Sequence, residues 1–360
     1  MVKAPKGKYL YGNVIAAACF GIQAVGIGTY FSYGVLFNPM IDEFGWSRAS
    51  ISGAASMAFL LMGFLGIGVG RLNDRFGPRA LMTVSGVFYG LGYFLMFRLE
   101  AIWQLYLFFG IIFGIGMSTV DVIALTTIAR WFVRKRGIVT GIVKVGTGAG
   151  QMVIPFLVSI LIIRYGWRSS CVIIGAAVLI IIVAIAQLLR RDPSQMGLSP
   201  DGNASGSTNR PVSDTEGFTL REAIRTRQFW TICAAMVAIV FCLMTVMVHI
   251  APFAQELNVS PTRAASVLST IGGVSMADRF VSGFATDRIG SKRVMIFCFI
   301  LMIAVLLWLQ IVTKLWMLYL FAVVYGVAHG GFFTSFSPIV AEFFGIKSHG
   351  ALFGITMFCG

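Results

Sequence analysis

Long apolar stretches, separated by short polar or basic segments, repeat along the whole chain. Each of the first ten stretches holds about 20 residues, and an eleventh begins at Ala351 and reaches the last residue, Gly360. A stretch of about 20 residues crosses the hydrocarbon of a bilayer as an α-helix, and a helix satisfies its own backbone hydrogen bonds there. The pattern therefore predicts an all-α membrane protein. The predicted spans are residues 12–37, 49–69, 80–97, 103–128, a fifth that starts after Gly137, 171–189, 229–251, 264–286, 294–313, 315–338 and 351–360.

A polar segment separates the first six predicted spans from the others. Residues 193–227 are rich in Ser, Asn, Pro and Gly, which is typical of a flexible linker. We therefore expect an N-terminal bundle of six helices over residues 1–192, a linker over 193–227, and a C-terminal bundle over 228–360.

The charge of the chain indicates its orientation in a membrane rather than a nucleic-acid partner. Charged residues make up 12% of the chain, whereas a soluble domain has about 25%. The net charge is +14, and 20 of the 28 Lys and Arg residues lie in the N-terminus and the even-numbered connections, against six in the odd-numbered ones. Basic residues accumulate on the cytoplasmic side of membrane proteins. We therefore expect a cytoplasmic N-terminus, a cytoplasmic linker and a lipid bilayer around the protein.

One short motif occurs twice, each time between two predicted spans. Gly70 and Asp74 are separated by three residues, and Gly283 and Asp287 repeat that spacing 213 residues later. A motif duplicated at this distance indicates two related halves. Its aspartate can pair with an arginine or with a helix N-terminus, and we interpret the motif as a latch between neighbouring helices. The latch residues are Gly70, Asp74, Arg75, Gly77 and Arg79 in the first copy and Gly283, Asp287, Arg288 and Gly290 in the second.

The duplicated motif resembles the signature loop of the major facilitator superfamily, which stands between spans two and three and again between spans eight and nine. The glycine-rich stretch from Trp131 to Gly150 and the segment after span one are similar to the monocarboxylate transporters and to the oxalate/formate antiporters of bacteria. The resemblance implies a transporter of two pseudo-symmetric six-helix bundles that lies in a bacterial inner membrane and works as a monomer.

The last residues fall inside the second predicted bundle. With the 213-residue offset, Gly141 corresponds to Gly354 and Lys144 to Met357, so the sequence stops within the eleventh of the family's twelve spans. We expect the second bundle to be truncated in helix 11. Two explanations stay open: about 50 residues of a longer protein are missing, or the second repeat is incomplete.

Four charged residues lie deep inside predicted spans: Asp121, Lys144, Asp278 and Arg279. Three of them stand eight or nine residues from a basic loop, which is about 12–14 Å along a helix and near the middle of the membrane. Transporters bind substrate at this depth, between their repeats. An alternative stays open for Asp121 and Lys144, which can form an ion pair that only holds the first bundle together. Asp278 and Arg279 are about 100° apart around one helix, so they cannot both point into one narrow cavity.

The family resemblance gives Arg279 a role. The relatives carry an arginine in span eight, four residues before the glycine of the second motif, and it is held to bind the substrate carboxylate; a guanidinium suits this chemistry because it pairs with two oxygens.

The chain also departs from its relatives. Ser275 replaces an aspartate of the animal members, and Met357 replaces the second cation of the oxalate antiporters, with Lys144 as its symmetry mate. The candidate substrate ligands are Arg279, Lys144, Tyr30, Tyr33, Tyr325 and His329, and the predicted proton-coupling residues are Asp278 and Asp121. An alternative stays open, and is the commoner role, for four of the ligands: His329 can simply bond a neighbouring helix, and the three tyrosines can serve aromatic packing.

These residues favour a proton-coupled symporter of small monocarboxylates such as lactate or pyruvate, working by alternating access. Arg279 would hold the carboxylate, and Asp278, or Asp121 through Lys144, would take the proton. Two alternatives stay open: an exchanger of carboxylate anions with Lys144 as second cation, and a sensor or receptor with a transporter-like fold. The sequence contains no Ser/His/Asp constellation and no metal-ligand spacing, so we expect no enzymatic activity, cofactor or metal.

Overall fold

The computed structural model describes residues 11–198, 200, 217–257 and 259–360, and most of these lie in helices. Within this part of the chain, the β-structure is limited to an isolated bridge between Gly217 and Gly345. The all-α prediction is therefore confirmed. We name the long helices α1 (Tyr11–Phe44), α2 (Arg48–Phe76), α3 (Pro78–Arg98), α4 (Ile102–Trp131), α5 (136–165), α6 (167–188), α7 (Arg227–Glu256), α8 (Pro261–Ile289), α9 (Ser291–Leu309), α10 (Leu315–Phe344) and α11 (His349–Cys359).

Eight helices of the described residues are long and apolar enough to cross a membrane. One of them is the 53-residue helix Arg136–Leu188, which contains α5 and α6 and turns sharply at Gly166, where φ is 74°. Glycine adopts a positive φ without the steric cost of a Cβ, so two spans follow each other here without a loop. The 29-residue helix α8 is also long enough, but it is more polar than the other spans.

Several helices extend beyond the predicted spans. α1 continues past Phe37 to Phe44 after a 3₁₀ turn at Tyr33–Leu36. α10 continues through Pro338 to Phe344, because neighbouring helices in a bundle compensate for the hydrogen bond that a proline loses. The helix therefore extends beyond the end of span ten, which the sequence predicts near Pro338.

The duplicated motif is helical for most of its length, which corrects its description as a loop. α2 continues from Gly70 to Phe76, and α8 continues from Gly283 to Ile289. Each helix ends at the second glycine of its motif, Gly77 with φ 81° and Gly290 with φ 89°. A residue with a positive φ cannot continue a right-handed helix, and glycine takes a positive φ at little steric cost.

Glycines bring helices into backbone contact around the buried charges. A methyl group on Gly150 of α5 would overlap the carbonyl of Ala24 of α1. A methyl group on Gly330 of α10 would lie 2.5 Å from the carbonyl of Ser275 of α8. Small residues allow this close approach in membrane bundles. The contacts place α5 against α1 and α8 against α10.

Arg168, at the start of α6, ties together three helix ends on the side opposite the duplicated motif. Its guanidinium donates to the Glu43 carboxylate at 2.7 Å and to the carbonyls of Phe97 and Leu99 at 2.7 Å each. Trp167 donates to the same carboxylate at 2.7 Å. A planar guanidinium with several donors suits such a junction.

Replacing Arg168 by glutamine removes these bonds, and we expect the melting temperature in detergent to fall by a few degrees. The lost hydrogen bonds are worth about 1–2 kcal/mol because the site is partly exposed. Thermal unfolding followed by tryptophan fluorescence measures the change. Arg164→Gln is the matched control, since Arg164 is exposed and its side chain makes no hydrogen bond or ion pair among the described residues. Equal melting temperatures for the two variants would contradict the assignment.

Candidate functional site

The structure places all four span charges inside the helix bundle. Lys144 is 5% exposed, Asp278 8% and Arg279 7%, while Asp121 is partly exposed. Buried charges need partners of opposite charge or hydrogen bonds. The partners that each residue finds therefore indicate what it can do.

Asp121 and Lys144 form an ion pair between α4 and α5. Gln23 of α1 donates to the same carboxylate oxygen at 2.8 Å, and Thr147 donates to the Gln23 carbonyl oxygen at 2.8 Å. The pairing left open by the sequence is thus present in the structure. Gln23 and Thr147 were missed, although an amide inside an apolar span is itself a signal.

Arg279 reaches across from α8 to α5. Its Nη1 donates to the backbone carbonyl of Lys144 at 2.5 Å. Its Nε is buried and finds no hydrogen-bond partner among the residues that the structure describes. A buried donor without an acceptor is costly, and such a group is expected where a ligand completes the hydrogen bonding.

Asp278 points away from Arg279, as their 100° separation predicts. Its carboxylate accepts a hydrogen bond from Ser282 at 2.8 Å. A methyl group on Gly330 of α10 would lie 3.0 Å from the same carboxylate, so it faces α10. Over the described ranges, Asp278 makes no ion pair. It is therefore the buried acid of the site that lacks a cationic partner.

His329 of α10 contacts α8 one helical turn from Arg279. Its Nδ1 lies 2.6 Å from the Ser275 hydroxyl. The ring stacks on Tyr325 at 6.3 Å and meets the edge of Phe333 at 5.1 Å. Tyr325 is fully buried, and its hydroxyl has no partner in the part of the chain described.

Tyr30 and Tyr33 lie in an aromatic cluster with Phe109 and Phe113 of α4. Tyr33 stacks on Phe109 at 3.9 Å, and its hydroxyl donates to the Ile51 carbonyl at 2.8 Å. Tyr30 stacks on both phenylalanines at 6.4 Å. These contacts are packing contacts, and the structure does not bring either tyrosine to Arg279.

A cavity of about 150 Å³ lies between α2, α4, α7, α10 and α11. Apolar residues form most of its wall, and Asp121 is the charged residue among those that line it. Neither Lys144 nor Arg279 is among the residues that line it. A cavity of roughly 150 Å³ is the size that holds a benzene molecule.

The first copy of the motif joins several helices at the end of α2. Asp74 pairs with Arg130 of α4 at 3.0 Å, and Arg130 also pairs with Asp192 at 3.2 Å. A methyl group on Gly70 would overlap the carbonyl of Gly350 in α11. This copy therefore contacts the first turn of a helix that follows the linker.

The second copy makes the corresponding contact, from a helix that follows the linker to a helix that precedes it. Asp287 of α8 accepts hydrogen bonds from the amides of Gly137 at 2.5 Å and Ile138 at 2.9 Å, at the start of α5. A methyl group on Gly283 would lie 2.7 Å from the Gly137 carbonyl. A carboxylate at a helix N-terminus satisfies unpaired amides and the helix dipole. We call the side of the molecule with these two contacts the latch side.

The remaining motif residues stabilise the helix ends. Arg79 donates to Gln187 at 2.8 Å. Arg75 lies over the ring of Phe76 at 5.2 Å, and Arg288 lies over the ring of Phe284 at 4.4 Å. Arg130, Asp192 and Gly350 complete the latch contacts, and the sequence analysis does not find them because they lie in other segments of the chain, Asp192 in the connection after α6.

Comparison with known proteins identifies relatives along most of the chain. A model of the Major Facilitator Superfamily matches residues 18–360. The oxalate:formate antiporter of Oxalobacter formigenes is 28% identical over 74% of this chain and 62% of its own length. Monocarboxylate transporter 4 of Rattus norvegicus is 25% identical over 81% of this chain and 60% of its own. The chain thus spans less than two thirds of the length of either relative.

A solved structure has the same fold. The transporter FucP, crystallised in an outward conformation, aligns with a TM-score of 0.70 at 14% identity, over 98% of this chain and 89% of that one. At this identity the likeness concerns the fold alone. It confirms the predicted arrangement of two pseudo-symmetric helix bundles, and the chain is a multi-pass membrane protein.

Replacing Asp287 by alanine removes the acceptor of two backbone amides at the start of α5. We expect the amides of Gly137 and Ile138 to exchange with deuterium several-fold faster, because local opening becomes easier when a hydrogen bond is lost. Mass spectrometry of a peptide that covers residues 136–141 measures this. Asp42→Ala is the matched control, since Asp42 is exposed and has no polar contact in the described ranges. Unchanged protection in the Asp287 variant would contradict the latch.

Proposed function

We propose that this chain, which belongs to the Major Facilitator Superfamily, is a proton-coupled symporter of small monocarboxylates such as lactate or pyruvate. The observation that carries the proposal is the state of Arg279. It is a permanent cation, 7% exposed, and its Nε has no acceptor among the described residues. A carboxylate supplies both the missing acceptor and the missing negative charge.

The other deep cation is already neutralised. Lys144 pairs with Asp121, and Gln23 supports that carboxylate. This leaves Arg279 to attract an anion. The names of the relatives, a monocarboxylate transporter and an oxalate:formate antiporter, support a small carboxylate as the cargo.

The balance of charges favours coupling to one proton. Among the described span residues the site holds two acids and two bases, Asp121, Asp278, Lys144 and Arg279, so it is neutral when empty. A bound monocarboxylate adds one negative charge, and one proton restores neutrality. Asp278 is our proposed carrier because its carboxylate is held by the Ser282 hydroxyl and not by a cation, so taking up a proton there breaks no ion pair. The proton would bind one oxygen of that carboxyl on entry and leave it on release.

Substrate binding and gating involve the same side chain. Nη1 of Arg279 links α8 to the backbone of α5, which belongs to the other group of helices. A carboxylate on this guanidinium competes with the Lys144 carbonyl for donors, so loading loosens one link between the halves. Such a link suits alternating access by rocking of two bundles.

The orientation and setting form part of the proposal. The excess of basic residues in the N-terminus and the even-numbered connections supports a cytoplasmic N-terminus and linker. We place the protein in a bacterial inner membrane. The latch side is then the cytoplasmic side. The bundles 1–192 and 228–360 would move against each other within one monomer.

Labelled lactate uptake into proteoliposomes tests this function. With an inward proton gradient, we expect uptake well above that without one, and we expect Arg279→Lys to lower it about 10- to 100-fold, because an ammonium cannot replace the guanidinium fork. Arg263→Lys, at an exposed position of the same helix, is the matched control.

Two outcomes would overturn the symporter. Lactate uptake that does not depend on the proton gradient but requires an anion preloaded inside the proteoliposomes would mean carboxylate exchange, with Lys144 as a second ligand. Lactate binding without any flux would mean a sensor with a transporter-like fold.

A further inference from the structure

The Ser275–His329 pair is a polar element of the bundle that the proposed transport of a carboxylate and a proton does not use. Ser275 precedes Arg279 by four residues on α8, so both side chains lie on one face, about 6 Å apart along the helix axis. His329 contacts Ser275 from α10. A ligand held by Arg279 therefore has His329 one helical turn away.

The imidazole of His329 is fixed in orientation but not saturated. Nδ1 contacts the Ser275 hydroxyl at 2.6 Å, and the rings of Tyr325 and Phe333 hold the imidazole on two sides. In the described part of the chain, Nε2 has no hydrogen-bond partner, and the residue is partly exposed. Phe333, one turn along α10, lines the cavity between the helix groups.

His349 shows what a structural histidine looks like in this protein. It is fully buried, its Nε2 lies 3.2 Å from the Ser337 carbonyl, and its ring stacks on Phe353. It therefore serves packing between α10 and α11. Its Nδ1 finds no partner among the described residues but is buried, whereas His329 is partly exposed.

We propose that Nε2 of His329, oriented by Ser275, binds the oxygen on carbon 2 of the transported acid while Arg279 holds its carboxylate. The inference rests on the proposed function, and it makes His329 the residue that selects 2-hydroxy and 2-oxo acids over unsubstituted ones. When Ser275 donates to Nδ1, Nε2 carries a proton and donates to a 2-oxo or a 2-hydroxyl oxygen. When Nδ1 donates to Ser275, Nε2 accepts from a 2-hydroxyl group.

Competition between lactate and propionate tests the proposal, because propionate is lactate without the hydroxyl group. Each acid is added at increasing concentration against labelled pyruvate uptake in proteoliposomes. We expect the wild-type protein to prefer lactate roughly 10-fold, the size of effect that one hydrogen bond to an otherwise unsatisfied group supports. In His329→Phe we expect the preference for lactate to vanish while inhibition by propionate persists. In Ser275→Ala we expect the preference for lactate to be smaller than in the wild type.

The controls separate this inference from the proposed function. His249→Phe, at an exposed position of α7, should keep the wild-type preference. His329→Gln keeps a hydrogen-bond donor, so we expect it to retain part of the preference for lactate. It replaces His329→Phe in the test if the phenylalanine variant elutes as an aggregate. Equal inhibition by both acids in the wild type, or an undiminished preference in the His329 variant, would overturn the inference while leaving Arg279-dependent transport intact. Loss of all carboxylate inhibition in the wild type would instead overturn the proposed function.

Discussion

The cost of holding charge inside an apolar helix bundle governs the arrangement of this protein. An ion moved from water into a protein interior loses several kcal/mol of hydration unless partners replace the water. Lys144 finds Asp121, and Gln23 completes that pair. Arg279 is compensated only in part, by one backbone carbonyl. The bundle therefore contains one balanced pair, one cation that can still accept an anion, and, in Asp278, one acid that can still accept a proton.

The helices that hold Arg279 also form the latch. A methyl group on Gly141 of α5 would overlap the carbonyl of Arg279, and one turn further Gly137 contacts Gly283 and Asp287 of α8. α5 and α8 are continuous through this region, so a shift of one against the other changes the surroundings of Arg279 and the latch together. Packed helices tend to adopt discrete arrangements rather than deform gradually. In the proposed mechanism, a carboxylate on Arg279 therefore acts directly on the contact between α5 and α8.

The sequence predicts the parts of this arrangement that depend on local pattern. Hydropathy predicts where the spans lie, because each span must be apolar over the thickness of the membrane. The equal depth of Asp121 and Lys144 in neighbouring spans suggests that they are partners. The contact of Ser275 with His329 joins residues 54 positions apart, and nothing in either local sequence specifies it. Tyr33, predicted as a ligand, donates to Ile51 instead, because a buried hydroxyl takes the nearest carbonyl that packing offers. Side-chain partners between helices depend on how the helices are rotated, and hydropathy does not determine that rotation.

Proton and lactate fluxes recorded in the same proteoliposomes test the central claim most directly, since the claim is that a neutral site takes one anion with one proton. A pH-sensitive dye inside the vesicles reports protons, and labelled lactate reports substrate. The account predicts one proton entering with each lactate and an uptake rate that does not respond to an imposed membrane potential. Lactate entry without proton entry, or a rate that follows the potential, would contradict it.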